Sequence, residues 1–236
     1  MSIDFEIKES KKINGVQIIK PTISSDNRGN IWTSFVKDEV EALLPDGLFF
    51  KHDKFSESIH NVLRGIHGDN KTWKLVTCVY GEIYQVVVDL RETSPTYMKW
   101  EKFIINKNSQ SLILIPPGVG NAYYVSSNLA VYHYKLAYSG KYIDSNEQFT
   151  YKWNDKILDI DWPTDKPILS SRDKISDLYS SGIQIINPKK INEITDNSDN
   201  FSEVWSQLIK KRQLVCSKKI LDEWYSVDNL AQINEL

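Results

Sequence analysis

The sequence has only two cysteines, Cys78 in a strand-like run and Cys216 after a basic stretch, so no disulfide framework can be read from it and a reducing compartment suits it. Long apolar runs are missing. Met1 to Lys20 mixes Asp4, Glu6, Lys8, Glu9, Lys11 and Lys12 with isolated apolar residues, which argues against a leader peptide and against a membrane span. Neither sign of charge prevails: 29 Lys and Arg face 31 Asp and Glu, so the overall field gives no reason to expect nucleic acid or an anionic membrane as partner. No Gly-x-Gly-x-x-Gly opens a helix, and no phosphate loop, internal repeat or low-complexity tract is present. The expectation left standing is a cytoplasmic, unanchored protein with a small-molecule ligand.

What is present is β texture. Chain length allows one generous domain, or one domain with a small appendage. From Ile13 to Ile115, short runs rich in Val, Ile, Tyr and Trp alternate with turn residues. Lys74 to Tyr80 and Glu82 to Asp89 read as two strands around a tight turn at Gly81. Ser111 to Ile115, Tyr123 to Val125 and Val131 to Leu136 are further strands, the first closed by Pro116-Pro117-Gly118. The expected fold is all-β, a jelly-roll β-barrel or sandwich over residues 1–175. From 176 to 236 the texture changes, and Phe201, Val204, Trp205, Leu208 and Ile209 recur at helical spacing, which predicts a mainly helical extension.

Few residues suit chemistry. His67 follows Arg64 and Gly65 at a strand edge, and Lys74 alternates onto the same face as Val76 and Cys78, where a buried amine needs a partner or a ligand. In Val131 to Tyr138, Tyr132 and Tyr134 share one face, His133 and Lys135 the other; a polar ligand inside a barrel would satisfy the tyrosine hydroxyls. Asp173 comes later, a carboxylate that could orient a histidine. The spacing argues against a metal: Gly68 and Asp69 follow His67 where a second ligand histidine would stand, and Asn121 follows the Pro-Pro-Gly turn.

Asp26-Asn27-Arg28-Gly29, Val62 to His67, Lys74-Leu75-Val76, Gly81-Glu82-Ile83, Val87 to Arg91, Ser94-Pro95-Thr96, Ile115 to Gly118, Tyr134-Lys135, Trp153-Asn154-Asp155, Ile160 to Pro163 and Leu169 to Asp173 occur in one order. In that order they resemble the dTDP-4-dehydrorhamnose 3,5-epimerase family, over about three quarters of the chain. The resemblance implies a cupin-type homodimer that needs no metal and no other cofactor and takes a nucleotide-linked 4-keto sugar as its partner. It implies His67 as base, Asp173 as its orienting carboxylate, Lys74 as the group that stabilises the enolate oxygen and Tyr134 as general acid. Arg64 and Arg28 are suited to the diphosphate.

The departures matter as well. Either Tyr138 or Tyr142 can fill the second tyrosine position; Tyr142 is preferred because Glu147 then falls at an expected acidic position. Asn121 stands where the family usually has histidine. His52-Asp53-Lys54 replaces a Gln-x-Asn pattern, and Asn30 to Thr33 lacks a glutamate, so the nucleotide pocket differs, either as a drifted thymine pocket or as one rebuilt for another carrier. GDP is the carrier favoured on these grounds, with Asp53 accepting from a guanine edge, on a hexose or heptose bound for capsule or lipopolysaccharide. Two rivals on this fold are a 3,4-ketoisomerase, which calls for a histidine pair near His67, and a sugar-nucleotide binder without activity, which has no use for a base facing an acid.

Overall fold

The computed structural model describes residues 4–145 and 147–174, so the expected helical extension over 176–236 lies outside the described residues. The chain runs through β1 (Phe5–Glu9), β2 (Gln17–Pro21), β3 (Ile23–Asp26), β4 (Gly29–Trp32), α1 (Lys37–Glu41), β5 (Phe50–Ile59), β6 (Leu63–Gly68) and β7 (Trp73–Tyr80). It continues through β8 (Ile83–Asp89), β9 (Trp100–Ile105), β10 (Leu112–Ile115), β11 (Val119–Val125), β12 (Leu129–Ala137) and β13 (Phe149–Thr150). A six-stranded sheet, β1-β2-β10-β7-β12-β5, faces a five-stranded one, β13-β6-β11-β8-β9, and β3 and β4 form a hairpin of their own. No helix among the described residues is long and apolar enough to cross a membrane.

One sequence expectation fails. β7 and β8 are not a hairpin: β7 pairs with β10 and β12, and β8 with β11 and β9. The tight turn at Gly81 instead carries the chain from one sheet to the other. A side chain there has no room, because its Cβ would lie 2.1 Å from the Leu129 carbonyl oxygen, and the backbone holds φ at +84°.

Strand alternation sorts the apolar residues into three layers. Val76 and Cys78 from one sheet meet Ile83, Val87, Val119 and Val125 from the other and fill the interior. Outside the five-stranded sheet, Leu63, Ile66, Val86, Val88 and Ala122 are covered by Trp153, Leu158, Ile160 and Trp162. Outside the six-stranded sheet, Leu75, Leu112 and Leu114 lie under Val40 of α1 and Leu44 just after it. Each of these fully buried aliphatic side chains contributes roughly 1.5–3 kcal/mol, so a charge at Val87 would break the sandwich.

β6 breaks the alternation, and this places the site. Leu63 and Ile66 both point into the outer layer, whereas Arg64 and His67 both line the interior cavity. Strict alternation would put residues three apart on opposite faces. The reversal falls at Gly65, opposite a register irregularity between Asn121 and Tyr123 of β11. Gly65 has φ at +133°, and a Cβ there would lie 2.3 Å from that of Ala122. This bulge-like step explains why a glycine sits between the arginine and the histidine.

Two stretches of the family pattern are structural. The Asp89 carboxylate accepts from Arg91 Nε at 2.8 Å, Ser94 Oγ at 2.6 Å and Thr96 Oγ1 at 2.6 Å, closing the loop before β9. Burial alone would raise its pKa, but these donors hold it down at about 2.

Candidate active site

Between the sheets, at the end not filled by aliphatic side chains, lies a cavity of about 390 Å³, within the usual range for a small-molecule site. His67 reaches it from the five-stranded sheet; Lys74 and Tyr134 reach it from the six-stranded one. Groups on facing sheets can address two sides of one bound molecule.

His67 Nε2 lies 2.5 Å from Asp173 Oδ1. The carboxylate is 2% exposed and its other oxygen accepts from Ser170 Oγ at 2.7 Å. The covering segment delivers it, tied beside β6 where Leu63 N–H donates to the Ile168 carbonyl and Ile168 N–H to that of Asn61. Burial pushes the Asp173 pKa up, but the hydrogen bonds from His67 and Ser170 outweigh it and the net shift is downward. An ionised partner keeps the imidazole proton on Nε2 and leaves the lone pair on Nδ1, the arrangement of a general base.

Lys74 is buried, with no hydrogen bond among the described residues. Desolvation lowers its pKa to about 8; Asp69 opposes that shift and Arg172 adds to it. At neutral pH it remains mostly a cation in a poorly solvated wall, which is where an ammonium best stabilises a new oxyanion. Tyr134 packs edge-on against Tyr132 with ring centroids 4.7 Å apart. Burial, reinforced by Tyr123 and opposed by Ser56 and Arg64, raises its pKa, so the phenol keeps its proton.

Arg64 lines the cavity and donates from Nε to Ser58 Oγ at 3.0 Å. Tyr142 stands at the mouth, where Lys54 Nζ donates to its hydroxyl at 2.7 Å. Of the two candidate tyrosines, Tyr142 lines the cavity, whereas Tyr138 is buried behind it with its hydroxyl 3.1 Å from His52 Nδ1. The acidic residue beside Tyr142 on the wall is Asp144, not Glu147. His52 backs the wall, its ring 4.9 Å from that of Tyr142, with desolvation lowering its pKa.

Three expected binding residues lie elsewhere. Asp53 alternates onto the outer face of β5, where it takes up His133 Nε2 at 2.8 Å and Lys135 Nζ at 3.0 Å. Arg28 sits at the tip of the β3–β4 hairpin, paired with Asp26 and exposed. Tyr132 faces inward as expected, but it is fully buried and its hydroxyl donates to Gln85 Oε1 at 2.7 Å, so a protein group takes the place foreseen for a ligand. Conversely, the sequence reading passed over Gln85 and Arg172. Gln85 is a lone amide in the inward apolar row Ile83, Gln85, Val87, which was the available signal. Arg172 adds a second arginine to the wall, its Nε donating to Thr150 Oγ1 at 2.6 Å.

The family model for dTDP-4-dehydrorhamnose 3,5-epimerase matches residues 10–180. The chain belongs to that family. It is 33% identical over 167 residues to the dTDP-4-dehydrorhamnose 3,5-epimerase of Escherichia coli strain K12, covering 69% of this chain and 89% of the relative. A dTDP-4-dehydrorhamnose 3-epimerase of Streptomyces niveus is 34% identical over 165 residues, covering 69% and 78%. The crystal structure of the Legionella pneumophila Philadelphia 1 dTDP-6-deoxy-D-glucose-3,5-epimerase with dTDP-4-keto-L-rhamnose superposes with a TM-score of 0.66 at 34% identity, covering 72% of this chain and 90% of that one. The sandwich is therefore the cupin-type fold of these epimerases, and this member of the dTDP-4-dehydrorhamnose 3,5-epimerase family is an isomerase of the epimerase class.

Proposed function

We propose that this epimerase inverts C3, C5 or both on a dTDP-linked 4-keto-6-deoxyhexose, through an enolate. The observation that carries the reading is His67, on one sheet and paired with Asp173, facing Tyr134 and buried Lys74 on the other. A carbonyl at C4 acidifies the neighbouring C–H bonds. His67 Nδ1 takes the proton, the C–H pair moves into the ring and the carbonyl pair onto O4, where Lys74 meets the charge. Tyr134 O–H then protonates the carbon from the other side, and solvent carries a proton from the imidazolium back to the phenolate. The configuration is inverted with no net redox change.

The carrier is read as dTDP because the family relatives act on it and because the argument for GDP has weakened: Asp53, the group that was to meet guanine, is engaged by His133 and Lys135 on the outer face. Arg64 and Arg172 support a diphosphate near the wall. Calorimetry separates the carriers, with dTDP expected to bind at least about tenfold more tightly than GDP; the reverse order would return the reading to GDP. The chemistry is tested in D2O with the dTDP-linked 4-keto sugar. Wild-type protein should both exchange and invert, whereas Tyr134→Phe should still exchange but fail to invert. Inversion unimpaired in Tyr134→Phe would move the acid to Tyr142.

A homodimer belongs to the same reading. Phe55, Ile59 and Val79 stand 66%, 59% and 42% exposed in outward rows of the six-stranded sheet, where α1 gives no cover, and they support a second copy packed there. Sedimentation of the full chain at micromolar concentration should give a dimer mass; a monomer would remove that part of the reading.

A further inference from the structure

Behind the cavity wall is a hydrogen-bond chain whose direction is fixed from its buried end. Gln85 is 0% exposed and its Nε2 lies 3.0 Å from the Val86 carbonyl oxygen. A backbone carbonyl only accepts, so the amide atom facing it must be the nitrogen, and the other orientation would set two acceptors against each other. The same nitrogen donates to Asn121 Oδ1 at 2.7 Å, and Gln85 Oε1 accepts from Tyr132 O–H at 2.7 Å. The Tyr132 hydroxyl also lies 3.2 Å from Asn121 Oδ1. The Asn121 oxygen is thereby turned inward onto Gln85 and Tyr132. Its Nδ2 has no hydrogen bond among the described residues, although Asn121 is 7% exposed and lines the cavity. Asn121 sits opposite His67 in the β6–β11 register, beside the base.

We infer that Asn121 is a catalytic hydrogen-bond donor to the developing O4 oxyanion, working with Lys74, and that buried Gln85 is the positioning residue that holds the Asn121 NH2 toward the substrate. This rests on the enolate reading above and extends it. An asparagine left to itself presents either end of its amide, and the wrong end would set an oxygen lone pair against an oxyanion. Here the orientation is set before substrate arrives, so the donor needs no reorganisation as the charge forms. The device is neutral and transfers no proton. It leaves His67 and Tyr134 as the proton carriers while sharing the oxygen's charge between an ammonium and an amide.

Two variants test it in the full-length protein, with exchange and inversion of the dTDP-linked 4-keto sugar as readouts. Asn121→Asp keeps an oxygen for Gln85 and Tyr132 but replaces the NH2 by an acceptor. Its kcat should fall by about 100-fold with KM within about threefold, and exchange and inversion should fall together. Gln85→Glu, when ionised, only accepts and should turn the Asn121 amide around, so kcat again falls; protonation restores a donor, so activity should recover as pH is lowered, unlike wild type. A side chain that mattered only for packing would not acquire that pH profile. If Gln85→Glu fails to fold, Asn121→Asp alone decides, since it leaves the buried contacts in place. Asn121→Asp with unchanged kcat, or with KM alone raised, overturns the inference. Wild-type protein that neither exchanges nor inverts would instead sink the enolate reading itself, a distinct result.

Discussion

At the floor of the cavity His67, Asp173 and Asn121 are each fixed by a short hydrogen bond to a protein group: His67 to buried Asp173, Asp173 to Ser170, Asn121 to buried Gln85. At the mouth, Tyr142, His52 and Lys54 hold one another through ring contacts and one exposed hydrogen bond. His67, Lys74 and Asn121 stand on strands of two hydrogen-bonded sheets; Tyr142 comes from the segment after β12, and Lys54 from β5, which ends its sheet. Rigid preorganisation belongs where charge develops, and adaptable contact where a carrier is recognised. Floor substitutions should therefore cost turnover and mouth substitutions should cost affinity.

The largest effect tests the floor directly. His67→Asn should lower both deuterium exchange and inversion by about 1000-fold or more, because no enolate forms without the base. Wild-type exchange in that variant would remove His67 from its role. Next comes Asp173→Asn, which offers the imidazole an amide in place of a carboxylate; kcat should fall by about 100-fold with KM little changed, as stopped assays of turnover would show.

Lys74 sharpens the comparison through pH. Its pKa is lowered to about 8, so the ammonium is present below that value and is lost as pH rises through it. Turnover should then fall, by about tenfold per pH unit beyond the midpoint. The same burial costs stability. Below about pH 8 the lysine is charged whether folded or unfolded and the full desolvation penalty applies, and the penalty shrinks as pH rises toward the unfolded value of 10.5. Lys74→Met should be inactive yet more stable at pH 7, by about 1–3 kcal/mol in denaturant melts; a less stable variant would mean that the amine has a partner in the fold. The smallest effect belongs to the mouth. Tyr142→Phe removes the hydroxyl that accepts from Lys54, and should raise KM about threefold with kcat unchanged. A drop in kcat there would erase the distinction between floor and mouth.

The legible part of the molecule follows the same division. Strand alternation placed Lys74 with Val76 and Cys78, and separated Tyr134 from His133 and Lys135, because successive side chains of a regular strand point to opposite faces of its sheet. The role of His67 in the Arg64-Gly65-Ile66-His67 segment was legible only through the family resemblance, because a lone histidine at a strand edge is by itself a weak signal. The mouth was misread where the same alternation went unapplied: His52 and Asp53 are neighbours in sequence and therefore lie on opposite faces of β5, so a contact pair could not be transferred whole. Tyr132 failed for another reason. Whether a buried hydroxyl meets ligand or protein depends on what stands opposite, and Gln85 reaches it from a strand 47 residues away in sequence. The β7–β8 connection was misassigned because a tight glycine turn looks the same whether the chain folds back within a sheet or crosses to the next.

The reversal at Gly65 has a genetic consequence. Since the inside and outside of β6 exchange at that one step, the identity of the residue at 67 is only half of what the gene must preserve; the other half is the count of residues before it. One in-frame codon gained or lost between Arg64 and His67 would leave every downstream amino acid intact and swing the base out under Trp153 and Leu158, delivering Ile66 or Gly68 to the cavity in its place. A point mutation there edits the catalyst, whereas a single-triplet indel turns the strand inside out.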